Sequence, residues 1–131
     1  MKWICDTNVM SEVFKRIPNN YVLNWMAQQD TVFLSVITVE EIYSGLSHKD
    51  ANRKMEWFNK FIQLRCEVLP ITIEIAKRCG MLRGQFLQNG ISRTQADLLI
   101  ASTAIIHNLA LATRNTRDFE NCGVPLFNPF P

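Results

Sequence analysis

The chain has 131 residues, of which 47% are hydrophobic and 20% are charged, a composition that suits one folded domain and excludes a disordered protein. Its formal net charge of +2, from 14 lysines and arginines against 12 acids, does not by itself indicate a nucleic-acid-binding protein. We expect neither a signal peptide nor a membrane-spanning segment, because the sequence predicts a strand at its start and has no apolar run long enough to span a membrane. We therefore expect a single domain over residues 1–131.

The cysteines give no sign of a metal site or a disulfide framework. None of the four belongs to a C-x-x-C pair, and His48 and His107 lack zinc-ligand spacing with them. Isolated cysteines in strands and helices act as small hydrophobic residues. We therefore expect reduced thiols and a cytoplasmic location.

The first part of the chain predicts a strand followed by two helices. Met1–Cys5 has the apolar character of a short buried strand. The polar run at 6–8 offers N-capping side chains for a helix that starts near Val9. After a break at Pro18, Tyr21–Gln29 repeats apolar residues at helical spacing.

The next segment predicts a second strand and two more helices. Val32–Ile37 is rich in β-branched residues, which favours a strand. Thr38 is expected to cap the helix that follows, with Glu41 as the acid of a capping box. Ala51–Leu64 carries a helical apolar pattern.

The second half continues the alternation of strands and helices. A third strand is predicted at Cys66–Leu69, and a helix over 72–87 ends at an Asn-Gly pair. A further helix opens at 94 or 95 and closes near 107. The last strands are predicted at Leu109–Thr113 and, as a short edge strand, at Val124–Phe127. This order predicts an α/β fold whose mostly parallel sheet of four to five strands is covered on both faces.

Four acids lie at the points where predicted strands end or helices begin. Asp6 follows the first strand, and Glu41 lies in the first turns of the helix after the second strand. Asp97 starts a later helix, and Asp118 follows the fourth strand. In open parallel sheets, ligands bind at such places. We therefore expect the four carboxylates to meet at one site.

Each acid also has a purely structural explanation. Asp6 could be a helix N-cap, Glu41 a capping-box partner, Asp97 a charge that suits the helix dipole, and Asp118 the cap of a turn. Together, however, carboxylates near the core carry a cost of desolvation and repulsion that a divalent cation removes. Oxygen ligands favour Mg²⁺ or Mn²⁺, and a water activated on such an ion could attack a phosphodiester.

Cationic residues are concentrated around one of these acids. Between residues 75 and 117 the only acid is Asp97. The cations of the same stretch are Lys77, Arg78, Arg83, Arg93, Arg114 and Arg117. They fit a site that binds a polyanion through a metal, although on charge alone a solvated positive face is the simpler account.

Four motifs, in this order, resemble the PIN-domain toxins of the VapC/FitB type. They are Asp-Thr-Asn-Val-Met-Ser-Glu at 6–12, Ser-Val-Ile-Thr-Val-Glu-Glu-Ile at 35–42 with Gly45, Asp-Leu-Leu-Ile-Ala-Ser-Thr-Ala at 97–104, and Thr-Arg-Asn-Thr-Arg-Asp-Phe at 113–119 with Asn-Pro-Phe at 128–130. Each motif alone is weak, whereas the four together are specific. The resemblance covers almost the entire chain.

The resemblance implies an α/β/α sandwich, usually a homodimer, that acts as a Mg²⁺- or Mn²⁺-dependent endoribonuclease. It also implies a small co-expressed antitoxin that blocks the site, and it makes transfer RNA a candidate target. The catalytic and metal-site acids of the family correspond to Asp6, Glu41, Asp97 and Asp118. Asp6 and Asp97 are expected as direct ligands, with Asp118 working through water and Glu41 holding a metal-bound water or a second metal.

Other polar residues take supporting roles under the same resemblance. Thr7 and Asn8 are expected to orient the first acid, although helix capping explains Asn8 equally well. Asn115 stands where some relatives carry an acid, which removes one charge and leaves an amide that could hydrogen-bond to a metal water or a carboxylate. The cations that could contact RNA phosphates, or pair with acids instead, are Arg93, Arg114 and Arg117.

Three other functions compete with this interpretation. A response-receiver domain needs a phospho-acceptor Asp after the third strand and a Lys after the last one, but Pro70 follows the third strand and no Lys lies beyond Lys77. An Asp-x-Asp phosphatase is excluded by Asn8. An inactive PIN scaffold that binds protein or RNA stays open because of Asn115.

Overall fold

A five-stranded sheet forms the centre of the structure, a computed structural model that describes residues 2–131. Its strands lie in the order β3-β2-β1-β4-β5, and every neighbouring pair is parallel. The strands are β1 (Trp3–Cys5), β2 (Val32–Ser35), β3 (Cys66–Leu69), β4 (Ala110–Ala112) and β5 (Leu126–Phe127). The chain therefore runs outward from β1 in one direction, then crosses to the other side of β1 for β4 and β5. Such a reversal of strand order opens a crevice at the carboxyl ends of the central strands.

Within residues 2–131, six α-helices and two short 3₁₀ helices connect the strands. The α-helices are α1 (Thr7–Ser11), α2 (Asn20–Ala27), α3 (Val36–His48), α4 (Asn52–Arg65), α5 (Ile73–Gln88) and α6 (Gln95–Ile106). The 3₁₀ helices cover Glu12–Phe14 and Thr116–Phe119. No helix within residues 2–131 is long and apolar enough to cross a membrane.

Two hydrophobic cores cover the two faces of the sheet. On one face, Ile4 and Phe33 pack with α5 and α6. On the other face, Cys5 and Leu34 pack with α1 to α4, where Phe58 is fully buried. Successive residues of a strand point to opposite faces, so β1 and β2 each contribute to both cores. The predicted α/β/α sandwich with a parallel sheet is confirmed.

Helix α6 is the most buried of the helices and carries Asp97 in its first turn. It packs against α5 and β4. Its buried hydroxyl groups are satisfied within the helix, since Ser102 donates to the carbonyl of Leu98 (2.6 Å) and Thr103 to that of Leu99 (2.7 Å). The acid is therefore mounted on a rigid, well-packed element.

The predicted start of α3 is wrong. Strand β2 ends at Ser35, and the Ser35 hydroxyl caps α3 by accepting from the backbone N–H of Ile37 (3.1 Å). The β-branched residues 36 and 37 therefore lie in the helix, because tertiary packing overrides their weak strand preference. Thr38 is fully buried inside α3 and caps nothing.

Other boundaries agree more closely with the sequence pattern. Strand β3 coincides with its predicted span, and Thr72 and Thr94 cap α5 and α6 through their side chains. Helix α1 begins at Thr7 rather than near Val9, because Asp6 itself is the N-cap. Strand β5 lies at the edge of the sheet, as predicted.

Candidate active site

The four predicted acids line one cavity of about 590 Å³ at the carboxyl edge of the sheet. Asp6 follows β1, Glu41 lies in α3, Asp97 in the first turn of α6, and Asp118 in the 3₁₀ helix after β4. The other lining residues are Thr7, Asn8, Ser11, Thr94, Ala96 and Asn115. Residues distant in sequence are therefore brought together as the motif positions predicted.

The Asp6 carboxylate is buried (5% exposed) and held by three hydrogen bonds. The backbone N–H of Thr7 donates to Oδ1 (2.8 Å), whereas the Thr113 hydroxyl (2.8 Å) and the Asn8 amide (3.2 Å) donate to Oδ2. A carboxylate offers about four acceptor positions. One therefore remains, on Oδ1, for a ligand from outside the protein.

Burial and neighbouring charge raise the pKa of Asp6 to about 6. Desolvation is the largest cause, the hydrogen bonds from Thr113 and Thr7 oppose it, and the charges of Asp97 and Glu41 raise the pKa further. Because this folded-state pKa lies above the ordinary value of 3.8, the folded protein retains the proton longer than the unfolded chain does. The contribution of Asp6 to stability is therefore lost as pH rises from about 4 to above 6.

Thr113 is a site residue that the sequence analysis missed. It is fully buried directly after β4, and its hydroxyl donates to Asp6 while accepting from the backbone N–H of Asn115 (3.1 Å). Asn8 makes a parallel connection, since its Oδ1 accepts from the backbone N–H of Arg114 (3.0 Å). These bonds tie the end of β1 to the end of β4. The available signal was the position of Thr113 at the end of a strand beside the one that carries Asp6.

Glu41 is oriented by Thr7 rather than by a helix cap. The Thr7 hydroxyl donates to Glu41 Oε1 at 2.6 Å. The Thr7 hydroxyl has only one proton, and it donates this proton to Glu41. In the 3.2 Å contact between the Thr7 and Thr38 hydroxyls, Thr38 is therefore the donor. Glu41 is the sixth residue of α3, so the capping-box explanation fails for it.

Asp97 lies where an acid suits the start of a helix, but its surroundings disfavour the charged form of its carboxylate. It lies in the first turn of α6, and its backbone N–H donates to the Thr94 hydroxyl (3.1 Å). Burial raises the pKa of Asp97, and the carboxylates of Asp118 and Glu41 raise it further, against the opposing effects of Thr94 and Arg93. The helix dipole therefore does not fully compensate this charge.

Asp118 and Asn115 form the exposed side of the cavity. Among residues 2–131, neither side chain makes a hydrogen bond to another residue. The expectation that Asp118 caps a turn fails, because no side-chain cap bond is present at its 3₁₀ helix. Both side chains are therefore free to meet a ligand or water.

The three predicted RNA-binding arginines differ in how they are held. Arg93 donates to the backbone carbonyl of Asp118 and lies over the ring of Phe86 at 4.8 Å. Arg114 lies over the ring of Phe130 at 4.7 Å, and Arg117 is exposed. Arg93 thus holds the Asp118 segment in place, whereas Arg114 and Arg117 line an adjoining cavity.

The donor set suits a hard cation. Carboxylates, hydroxyls and amides line the cavity, and no Cys or His of the part of the chain that the structure describes lies in its lining. Within residues 2–131, no three acidic, His or Cys side chains converge as a ready-made metal cage. Mg²⁺ is usually bound through one or two carboxylates and several waters, so this open arrangement fits Mg²⁺ or Mn²⁺ better than a metal that needs a closed set of protein ligands.

The fold and the site together define an α/β protein with an acid-lined pocket at the switch point of a parallel sheet. Residues 3–124 match the family model for the PIN domain. The chain is similar to the VapC ribonuclease Y4jK of Sinorhizobium fredii (34% identity, covering 97% of this chain and 96% of the relative) and to Toxin FitB of Neisseria gonorrhoeae (30% identity, 97% of each). The fold is also similar to that of a chain in the structure of VapBC2 from Rickettsia felis bound to a promoter DNA fragment. The two chains are 28% identical, the match covers 98% of each, and the TM-score is 0.83.

This protein belongs to the PIN-domain family and, within it, to the VapC/FitB group that the motifs predicted. The solved relatives share the fold across nearly the whole chain.

We predict that Thr113→Val destabilises the metal-free protein by about 1–3 kcal/mol at about pH 8, because a buried carboxylate loses a donor. Thr113→Ser keeps the hydroxyl and should retain most of the stability, apart from the lost methyl group. The difference between Val and Ser should shrink at about pH 5, where Asp6 is largely protonated. Urea unfolding at both pH values measures this. An equal loss at both pH values would show that the hydroxyl does not act through Asp6.

Proposed function

We propose that this protein is a Mg²⁺- or Mn²⁺-dependent endoribonuclease and the toxin of a toxin–antitoxin pair. The observation that carries the proposal is the convergence of Asp6, Glu41, Asp97 and Asp118 on one cavity in a PIN-domain chain. The names of the relatives, a VapC ribonuclease and the toxin FitB, support the same activity and biological role.

Asp6 and Asp97 would hold the divalent ion, with Glu41 and Asp118 completing its surroundings through water. When bound, such an ion supplies a water of lowered pKa and neutralises charge on the phosphoryl group. The free acceptor position on Oδ1 of Asp6 suits a single bond to the ion. Asn115 contributes no charge, so the site is suited to one tightly held ion rather than two.

The remaining residues of the site position these acids. Thr7 and Thr113 fix the Glu41 and Asp6 carboxylates in one orientation each. Carboxylates held in this way do not have to reorganise when the substrate arrives. The open side of the cavity, at Asn115 and Asp118, admits a phosphodiester and water.

The proposed partners follow from the same relationships. We propose an RNA substrate, with transfer RNA as one candidate, and a small cognate antitoxin of the VapB type in the cytoplasm. The solved relative VapBC2, bound to promoter DNA, supports an antitoxin partner. We also propose a homodimer, for which the exposed apolar residues of α5, Ile73, Met81 and Leu87, are the candidate contact surface.

We predict that Glu41→Gln and Asp97→Asn each lower Mg²⁺-dependent RNA cleavage by about 100-fold or more, because even residues that only support metal ligands contribute 10- to 100-fold. Glu40→Gln is the matched control, since Glu40 is exposed and does not line the cavity. Cleavage of labelled RNA, transfer RNAs included, provides the measurement. Full activity in Asp97→Asn would contradict the mechanism, and a wild-type protein that binds RNA without cleaving it would favour the inactive scaffold.

We predict that Mg²⁺ or Mn²⁺ raises the melting temperature of the wild-type protein. At a metal concentration 100 times the dissociation constant, binding stabilises the folded state by about 2.7 kcal/mol. Asp97→Asn should lose most of this shift, whereas Glu40→Gln should retain it. Differential scanning fluorimetry after EDTA treatment and metal readdition measures the effect. The absence of a shift in the wild type would argue against a metal site.

A further inference from the structure

A second cavity of about 460 Å³ opens directly beside the acid-lined one. The two cavities share Thr7, Ser11 and Glu41 as lining residues, so they adjoin each other. The second cavity extends away from Asp97, between α1, α3 and the start of α4. Its volume lies within the range of roughly 300–1,000 Å³ that pockets for small organic groups occupy.

The floor of this cavity is apolar and well supported. Phe14, Ile42 and Leu46 line it. The Phe14 ring meets the rings of Trp57 and Phe58 edge-on, at centroid distances of 5.4 and 5.5 Å. A flat apolar or aromatic group could therefore enter the cavity and contact a side chain that is already held in place.

The rim of the cavity is cationic, and two of its four cations have no ion-pair or hydrogen-bond partner among the described residues, 2–131. Lys15 forms an ion pair with Glu12 (2.9 Å), and the ammonium group of Lys54 donates to the carbonyl of Phe14 (2.8 Å). Arg16 and Lys49 are exposed, and neither forms an ion pair or a side-chain hydrogen bond within residues 2–131. These two positive charges are available to an anionic ligand.

Cations also flank the acids on the opposite side. Arg114 and Arg117 line a third cavity, which shares Asn115 and Asp118 with the acid-lined one. The surface therefore carries positive charge, then the four acids, then positive charge again, across three adjoining cavities. A polyanion that passes over the acids would meet cations on both sides.

We infer that the second cavity is a nucleotide subsite for single-stranded RNA. It takes an unstacked base, next to the phosphate that lies over the acids, onto the floor formed by Phe14, Ile42 and Leu46. Arg16 and Lys49 contact the phosphates that flank this base. Single-stranded RNA is recognised through unstacked bases and backbone charge. The inference rests on the proposed ribonuclease function. The position beside the acids, and the two cations that have no partner within residues 2–131, favour RNA over a protein segment.

Gly45 allows the cavity to be filled without disturbing the fold. It lines the cavity within α3, and a Cβ atom at this position would meet nothing within 4 Å. Gly45→Leu places a side chain in the cavity, whereas Gly45→Ala adds only a methyl group, and both suit a helix better than glycine. We measure binding in EDTA and in an Asp97→Asn background, in which cleavage is expected to be about 100-fold slower or more. There we expect Gly45→Leu to weaken binding of a short fluorescein-labelled unstructured RNA about tenfold. Gly45→Ala should bind as tightly as the parent.

The cationic rim is tested separately through the salt dependence of binding. Each phosphate contact to single-stranded nucleic acid contributes about 0.7 to the slope of log affinity against log salt. Arg16→Gln with Lys49→Gln should therefore reduce the slope by about 1.4. Lys77→Gln with Arg78→Gln is the control, because both residues are exposed on α5 and line neither cavity.

The outcomes separate this inference from the proposed function. Cleavage by the wild type, with weakened RNA binding in the filled and charge-reduced variants, supports the subsite. Cleavage by the wild type, with unchanged RNA binding in folded Gly45→Leu and in the Arg16/Lys49 double variant, overturns it and leaves the cavity to a protein segment. A wild type that cleaves no RNA contradicts the ribonuclease function itself, whatever the binding results.

Discussion

The burial of the Asp6 carboxylate at the end of the central strand is the constraint around which the site is organised. Its charge is costly because water is excluded and because Asp97 and Glu41 are near. The protein reduces this cost with three donors, from Thr7, Asn8 and Thr113, and does not remove it. The remaining cost is one that the proposed divalent cation would remove, and well-packed elements such as α6 hold the acids in place against it.

The architecture could be predicted from the sequence because its signals are local. The alternation of short apolar strands with amphipathic helices predicted the parallel sandwich, and Thr72 and Thr94 marked two helix starts correctly. The failure at the start of α3 has a physical cause. Residues 36 and 37 are β-branched and favour a strand, but the Ser35 cap and the packing of α3 place them in a helix. The strand preference of two β-branched residues is weak, so tertiary contacts can override it.

The acids of the site were also predictable, since each lies at a strand end or in an early helix turn, where a parallel fold brings them together. The groups that hold these acids in place could not be predicted. Thr113 lies 107 residues from Asp6 in the chain, and its hydroxyl has meaning only once β1 and β4 are paired. Thr38 was predicted as a cap and instead supports Thr7. The sequence could not predict that Arg16 and Lys49 line the same cavity, because only the fold places the end of α3 beside the segment after α1.

Asp6 carries a charge that the folded protein alone leaves poorly compensated. A ¹³C NMR titration of the Asp6 carboxyl carbon, with and without Mg²⁺, measures this directly. We expect a pKa of about 6 for Asp6 in the metal-free protein, and a pKa lower by more than about 1 when Mg²⁺ is bound. A metal-free pKa near the ordinary value of 3.8, unchanged by Mg²⁺, would contradict it.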